Sequence, residues 1–172
     1  FFEGGGVAQE CLVFSNAAAN GGGAFFEGGG RASNCLFSLN WAVTEGGGAW
    51  FQDGGEMDQC SLLGNHADTT GGHGGGALCD GGGTLRDCLI ADNEAAYGAG
   101  VWMQFGGQTL RCLIRNNHAV WGDPMFMSAG VGGGFFAYAG GLVSDSIIEK
   151  NSADQDAGGG VPMASPWRTM AP

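Results

Sequence analysis

The side chains that could bind a metal ion lie together in one variable stretch of the chain. His66, Asp68 and His73 fall within the segment 66–73. Imidazole and carboxylate groups together form a donor set that suits zinc or a similar ion. No fourth ligand is evident in the sequence, and the glycines of the segment give it little rigidity. We therefore predict no metal and no cofactor.

Acidic residues could support a second kind of chemistry, the cleavage of polysaccharides. Hydrolysis needs two carboxylates that converge on one cleft, and a lyase needs an acidic calcium cluster beside a basic residue. Arg86 and Arg111 are the basic residues near repeated positions, but they form no recognisable acid–base motif. The sequence therefore predicts no catalytic residue. The acids considered are Glu27, Asp53, Glu56, Asp58 and Asp80.

These side chains are positioned by a repeat that runs through the chain. Glycine clusters at 21–23, 46–48, 74–76, 98–100 (with Ala99), 132–134 and 158–160 alternate with clusters at 4–6, 28–30, 54–55, 81–83, 106–107 and 140–141. Where a first cluster precedes a second, their last glycines are always 7 residues apart (23 to 30, 48 to 55). A cysteine or serine follows 5 residues later, and an asparagine 5 residues after that. A fixed block joined by a variable loop indicates one coil of a solenoid.

The repeat length and the apolar pattern indicate which solenoid. The steps between equivalent cysteines are 24, 25, 28 and 24 residues, followed by 34 residues to Ser146. The apolar runs are short and bounded by glycine, which is typical of strands and turns rather than helices. We predict an all-β, right-handed parallel β-helix (solenoid) with about 24 residues per coil and six to seven coils.

Equivalent residues of successive coils would stack about 4.8 Å apart. The cysteine ladder comprises Cys11, Cys35, Cys60, Cys88 and Cys112, with Ser146 in the sixth place. The asparagine ladder comprises Asn16, Asn40, Asn65, Asn93, Asn117 and Asn151. Stacked amides can bond to one another and to the turn backbone, so we assign both ladders a structural role.

Disulfides are the alternative for the six cysteines, which in a secreted chain would suggest three bridges. Side chains at one repeated position point the same way, whereas a disulfide needs converging Cβ vectors. We predict free, buried thiols that act as small apolar filler. Cys79 lies in another strand and has no equivalent partner.

Two apolar rows are expected on the outside of the solenoid. Successive strand residues face opposite ways, so Phe26, Phe51, Cys79 and Met103 are predicted to point inward. The aromatic row, predicted to point outward, consists of Phe25, Trp50, Leu78, Trp102 and Phe136. The leucine row consists of Leu12, Leu36, Leu89 and Leu113, with Ser61 interrupting it. Such rows either form an interface or are covered by loops or flanking segments.

The longest loop, residues 118–131, carries an unusual number of large apolar side chains. Tryptophan is common in binding hot spots, and flexible methionine suits adaptable contacts. The loop either contacts a partner or folds back over the leucine row. Its candidate partner-binding residues are Trp121, Met125, Phe126 and Met127.

Two recurring motifs resemble a known family. Segments such as Phe37-Ser-Leu-Asn40 look like an F-x-x-N motif, although most copies have an aliphatic residue in place of Phe. Gly-Gly-Ala at 22–24, 47–49 and 75–77 looks like its partner motif, G-G-A-[ILV]. Together they resemble the repeats of chlamydial polymorphic outer-membrane proteins, over roughly residues 1–161. This resemblance implies a β-helix and a role in adhesion or surface display.

The domain limits and the charge bound the remaining expectations. Residues 1–161 are assigned to the solenoid, as a segment of something longer that starts in mid-repeat, and the proline-rich residues 162–172 to a C-terminal cap or linker. A net charge of −11 argues against nucleic acid and anionic membranes as partners. No apolar run is long enough to form a transmembrane segment.

The expected function is a non-catalytic structural or adhesive scaffold within a larger surface or extracellular protein. It would contact a protein partner, or another copy, through an apolar face. The alternative is a carbohydrate-binding or polysaccharide-active module in which Trp50 and Trp102 stack on sugar rings.

Overall fold

The computed structural model describes residues 2–120, 130–155 and 158–163, with side chains as far as residue 159. These residues form short strands, and no helix occurs among them. In chain order the strands are β1 (Phe2–Glu3), β2 (Val7–Gln9), β3 (Leu12–Phe14), β4 (Ala17–Asn20), β5 (Ala24–Glu27), β6 (Arg31–Ser33), β7 (Leu36–Ser38), β8 (Trp41–Glu45), β9 (Ala49–Gln52), β10 (Glu56–Asp58), β11 (Ser61–Leu63), β12 (His66–Ala67), β13 (Ala77–Asp80), β14 (Thr84–Arg86), β15 (Leu89–Ala91), β16 (Glu94–Ala95), β17 (Val101–Gln104), β18 (Gln108–Leu110), β19 (Leu113–Arg115), β20 (His118–Ala119), β21 (Phe135–Tyr138), β22 (Leu142–Ser144), β23 (Ile147–Glu149), β24 (Ser152–Ala153) and β25 (Gly160–Met163).

The strands form four parallel sheets. Sheet A runs β1-β5-β9-β13-β17-β21-β25, sheet B β2-β6-β10-β14-β18-β22, sheet C β3-β7-β11-β15-β19-β23, and sheet D β4-β8-β12-β16-β20-β24. Each neighbour in a sheet is one coil further along the chain, which makes the molecule a parallel β-solenoid and confirms the predicted fold class. Six strands are joined by five such steps, so there are about five coils of about 25 residues.

The coil count is therefore slightly lower than the six to seven that we predicted. The reason is that the loop after Asn117 lengthens one step to 34 residues, as the pairing of Ile114 with Ile148 shows. At the C-terminal end, β25 still pairs with β21 and carries sheet A as far as Met163.

The strands are short because a single left-handed residue turns the chain from one sheet to the next. At the corner between sheets B and C these residues are mostly polar, as expected for positive φ in non-glycine residues. Their backbone N–H groups still bond to the next coil; that of Asp87 donates to the Leu110 carbonyl at 3.0 Å. The residues at this corner are Glu10, Asn34, Gln59, Asp87, Arg111 and Asp145.

The core is the lumen enclosed by sheets A, B and C. Phe26, Phe51, Cys79 and Met103 point into it and are almost fully buried, which confirms their predicted orientation. Side-chain volumes compensate within a coil: the coil of Phe26 has Ala32 opposite, whereas the coil of Cys79 has Leu85. This compensation keeps a narrow lumen filled without voids.

Candidate functional site

The asparagine ladder lies at the corner between sheets C and D and is fully hydrogen-bonded in its interior. The Asn65 Nδ2 donates to Asn93 Oδ1 at 3.0 Å and to the Phe37 carbonyl at 2.9 Å. The Asn65 Oδ1 accepts from Nδ2 and backbone N of Asn40, at 3.0 and 3.1 Å. The pattern continues from Asn16 to Asn151. Because every polar atom of the buried amides has a partner, the ladder locks coils together and leaves no group poised for catalysis.

The first glycine cluster of each repeat and the asparagine ladder form one device. A Cβ placed on Gly48 would lie 2.5 Å from the Gly76 carbonyl oxygen and 3.0 Å from Asn65 Nδ2. Only a residue without a side chain lets the amide and the backbone of the next coil approach this closely. The fixed sequence spacing between glycine and asparagine therefore reflects a direct contact in space.

The cysteine ladder lines the corner between sheets B and C, and all six cysteines are free. The Cys35 backbone N donates to Cys60 Sγ at 3.4 Å, and the Cys35 thiol donates to the Ser33 carbonyl at 3.1 Å. Burial raises the pKa of Cys60 to about 11 and that of Cys79 to about 12. Hydrogen bonding to Cys112, together with burial, raises the pKa of Cys88. These thiols are therefore protonated and unreactive at neutral pH.

We expect a thiol reagent at pH 8 to modify one cysteine of the folded chain quickly and the other five only after unfolding. Cys11 is the one cysteine that is partly exposed, whereas the others are buried. Spectrophotometric titration with a colorimetric disulfide reagent, before and after adding denaturant, measures both groups. A Cys11→Ser control should lose the fast equivalent. Rapid reaction of two or more thiols in that control would contradict the buried ladder.

The aromatic row points away from the lumen, as predicted, but most of it is not exposed. Leu78, Trp102 and Phe136 retain only 1, 7 and 2% of their accessible surface, and this corrects their assignment as an open partner-binding face. Phe25 and Trp50 are half-buried. The covering residues include Val131 and Tyr97 of the same cluster, together with His73, whose ring centroid lies 4.4 Å from that of Trp102.

The cover could not be read from the repeat because it comes from the variable stretch after each asparagine. Glu45, His73, Tyr97 and Val131 pair in parallel, one per coil, beside the aromatic row. They share no residue type and lie at different distances from the preceding asparagine. Their equivalence appears only once the coils are stacked.

The rings of the aromatic row stack on one another. Phe25 and Trp50 have centroids 4.4 Å apart at an interplanar angle of 9°, and Trp102 and Phe136 have centroids 4.4 Å apart at 6°. Leu78 lies between the two pairs in the register of sheet A. The ring faces are therefore occupied by neighbouring residues, and a sugar ring would meet the indole edges instead.

The leucine row is the apolar row that stays open. Leu12 is 72% exposed and Ile147, at the same repeat position, is 59% exposed. Leu36, Leu89 and Leu113 are partly exposed between them. Phe14 and Leu39 extend this apolar surface, and our sequence reasoning missed both because neither occupies a consistently apolar repeat position.

The candidate contacts of the long loop lie outside the described residues. The structure describes this loop only as far as residue 120 and again from residue 130. Whether it contacts a partner or covers the leucine row stays a prediction. The residues concerned are Trp121, Met125, Phe126 and Met127.

His66, Asp68 and His73 do not come together. His66 pairs with Glu94 (3.4 Å between Nδ1 and Oε1), and His73 pairs with Glu45 (3.6 Å between the same atom types). The Asp68 carboxylate accepts from the backbone of Thr70 at 2.9 Å. Within residues 2–120, 130–155 and 158–163, no three His, Cys, Asp or Glu side chains are arranged around a common point for a metal ion.

The acids considered for catalysis are mostly engaged in surface ion pairs. Arg111 forms a bidentate pair with Asp87, at 2.8 and 2.7 Å, and holds the pKa of that carboxyl below its usual value. Arg31 lies 3.8 Å from Glu56 and 3.9 Å from Asp58. A further acid, Asp80, has its pKa raised by partial burial and then by the nearby Glu45 and Asp53 carboxylates. A raised carboxyl pKa alone, with no paired acid or base placed to act on a substrate, is not a catalytic site.

Taken together, the ladders and the sheets define a parallel β-solenoid repeat protein. Comparison with protein-family models, with curated proteins and with solved structures gave no significant match. In the part of the chain that the structure describes, no helix is long and apolar enough to cross a membrane. The resemblance to outer-membrane repeats thus depends on the sequence motifs alone, and it enters only the proposal that follows.

Proposed function

We propose that the chain is a non-catalytic scaffold that uses the leucine row to contact a protein surface. The observation that carries this proposal is the open, aliphatic outer face of sheet C, with Leu12 at 72% and Ile147 at 59% exposure. Contiguous exposed apolar surface of this kind marks interaction sites in soluble proteins. The five steps between β3 and β23 give the row a length of about 24 Å at the parallel-strand spacing.

The internal ladders support a mechanical rather than a chemical role. Asparagine side chains bond coil to coil along the axis, and a thiol or hydroxyl accepts a backbone N–H at the neighbouring corner, as Ser146 Oγ does from Cys112 at 3.0 Å. A solenoid linked in this way presents its outer face with little conformational freedom, which reduces the entropy lost on binding. The motif resemblance would place such a scaffold in an adhesive segment of a larger cell-surface or extracellular protein.

The carbohydrate-binding alternative has less support. It would require open ring faces at Trp50 and Trp102, whereas those faces stack on Phe25 and Phe136. A sugar would have to displace these stacked neighbours before it could lie flat on either indole.

The test uses a second copy of the chain as the protein partner. We expect light scattering to show concentration-dependent association of the unmodified chain, because an apolar strip that leaves water stabilises a complex by about 25 cal/mol per Å². A Leu89→Lys/Leu113→Lys variant should remain monomeric. The matched control is Thr84→Lys/Gln108→Lys, which adds the same charge to the same two coils on the outer face of sheet B.

Two outcomes would contradict the proposal. One is a monomeric unmodified chain at every concentration tested. The other is a control variant that dissociates as readily as the leucine variant, since net charge alone would then explain the effect. A shift in tryptophan fluorescence on adding oligosaccharides to a monomeric chain would favour the carbohydrate alternative instead.

A further inference from the structure

Two histidines and two carboxylates lie together on the outer face of sheet D. His66, Glu94 and His118 occupy one register position on three consecutive coils. Asp154 follows one coil further on, two residues after the partner of His118. The alternate residues Ala67, Ala95 and Ala119 are fully buried, so these larger side chains point outward. We call His66, Glu94, His118 and Asp154 the histidine–carboxylate column.

The column already contains two pairs of nitrogen and oxygen donors. His66 Nδ1 lies 3.4 Å from Glu94 Oε1, and His118 Nε2 lies 2.9 Å from Asp154 Oδ1. Two ligand atoms on a tetrahedral zinc ion, each about 2.0–2.1 Å from the metal, are separated by about 3.3 Å. The first pair therefore has the spacing of two zinc ligands.

We propose that the column binds one divalent transition-metal ion of the zinc class, with His66, Glu94 and His118 as ligands and Asp154 beside them. Glu94 is one coil, about 4.8 Å, from each histidine. The four side chains are 32 to 44% exposed and point into solvent. The donors stand as two separate pairs, and rotation about side-chain bonds brings the third ligand to the ion without moving the backbone.

The donor set determines which ions fit. Two imidazoles with one carboxylate suit zinc, nickel or copper, whereas magnesium and calcium prefer oxygen ligands alone. The net charge of −11 raises the local concentration of any cation. An ion held by three successive coils would also oppose their separation, because it binds only the folded arrangement.

The third histidine provides an internal control. His73 pairs with Glu45 at 3.6 Å, but its register neighbour on the following coil is Tyr97, which offers no second imidazole. The His73 ring also packs 4.4 Å from the Trp102 ring, measured between centroids. A site that needs the column should therefore be indifferent to loss of the His73 imidazole.

The experiment is calorimetric titration of the full chain with Zn²⁺ alone in a chelator-free buffer. We expect one ion per chain, binding at least about tenfold weaker in His118→Gln and in Glu94→Gln, and unchanged binding in His73→Gln. Cys11→Ser should also bind normally, which separates the column from the partly exposed thiol. Zn²⁺ should raise the unfolding temperature of the unmodified chain but not that of His118→Gln.

The proposal is overturned by the absence of saturable zinc binding to the unmodified chain. It is equally overturned by binding that survives both His118→Gln and Glu94→Gln, or that disappears in Cys11→Ser or His73→Gln. Circular dichroism of each variant without zinc establishes that the solenoid is intact, so that lost binding reports lost ligands. Mg²⁺ at the same concentration should give no comparable binding.

Discussion

Replacing Asn93 by alanine is expected to destabilise the solenoid by about 3–5 kcal/mol. The Asn93 side chain makes four hydrogen bonds while only 1% exposed. Its Nδ2 donates to Asn117 Oδ1 at 2.9 Å and to the Leu62 carbonyl at 3.0 Å. Its Oδ1 accepts from backbone N and Nδ2 of Asn65, at 2.8 and 3.0 Å. Alanine would leave these partners buried and unsatisfied.

Urea unfolding monitored by circular dichroism measures this loss, and Asn16→Ala is its control. Asn16 is exposed and only donates into the ladder, to Asn40 Oδ1 at 3.1 Å from both its amide and its backbone N. We expect this control to lose no more than about 1 kcal/mol. Equal destabilisation by the two substitutions would show that the ladder does not depend on buried amides.

Asn93→Asp separates hydrogen bonding from side-chain volume. A carboxylate cannot donate to Asn117 Oδ1 or to the Leu62 carbonyl, and burial raises its pKa in the folded state. A group with a raised folded pKa stabilises at low pH and loses that contribution as pH rises. We therefore expect Asn93→Asp to be least stable relative to the unmodified chain at pH 7 and to recover part of the deficit toward pH 4. A constant deficit across that range would contradict this explanation.

Gly76→Ala is expected to destabilise the chain by about 3 kcal/mol or more. A Cβ at this position would lie 2.5 Å from the Gly100 carbonyl oxygen, 3.0 Å from Asn93 Nδ2 and 3.0 Å from Ile90 Cγ2. The nearest atom belongs to the backbone of the next coil, so relief requires two coils to separate. The φ of Gly76 is outside the positive range, and the expected loss therefore comes from crowding rather than from backbone strain.

The control for Gly76→Ala is Gly71→Ala, in which the added Cβ meets nothing within 4 Å. Its φ is also outside the positive range, so the two substitutions differ in the space available and not in backbone conformation. We expect the control to be neutral or to stabilise by up to about 1 kcal/mol, because alanine restricts the unfolded chain. Equal unfolding midpoints for the two variants in urea would refute the crowding argument. If Gly76→Ala does not fold, its low soluble yield beside a normal yield for Gly71→Ala gives the same answer.

Much of the fold was predictable from the sequence because a parallel solenoid repeats each contact at a fixed interval. The glycines, cysteines and asparagines keep constant spacing since each touches its own equivalent in the next coil, as Asn65 touches Asn93. The inward position of Phe26 and Cys79 followed from strand alternation alone. The coil count was less predictable, because one loop can absorb residues without changing the repeat.

Only the tertiary structure decided which outer residues are open and which partners they have. The sequence by itself determined the ladders, because equal spacing along the chain becomes contact between coils. It did not determine that His73 and Tyr97 cover Trp102, nor that Glu94 lies between His66 and His118. The cover comes from loops of unequal length, and the neighbours of Glu94 share no residue type with it. Their proximity exists only through the stacking of coils, which brings residues distant in the chain to within hydrogen-bonding distance.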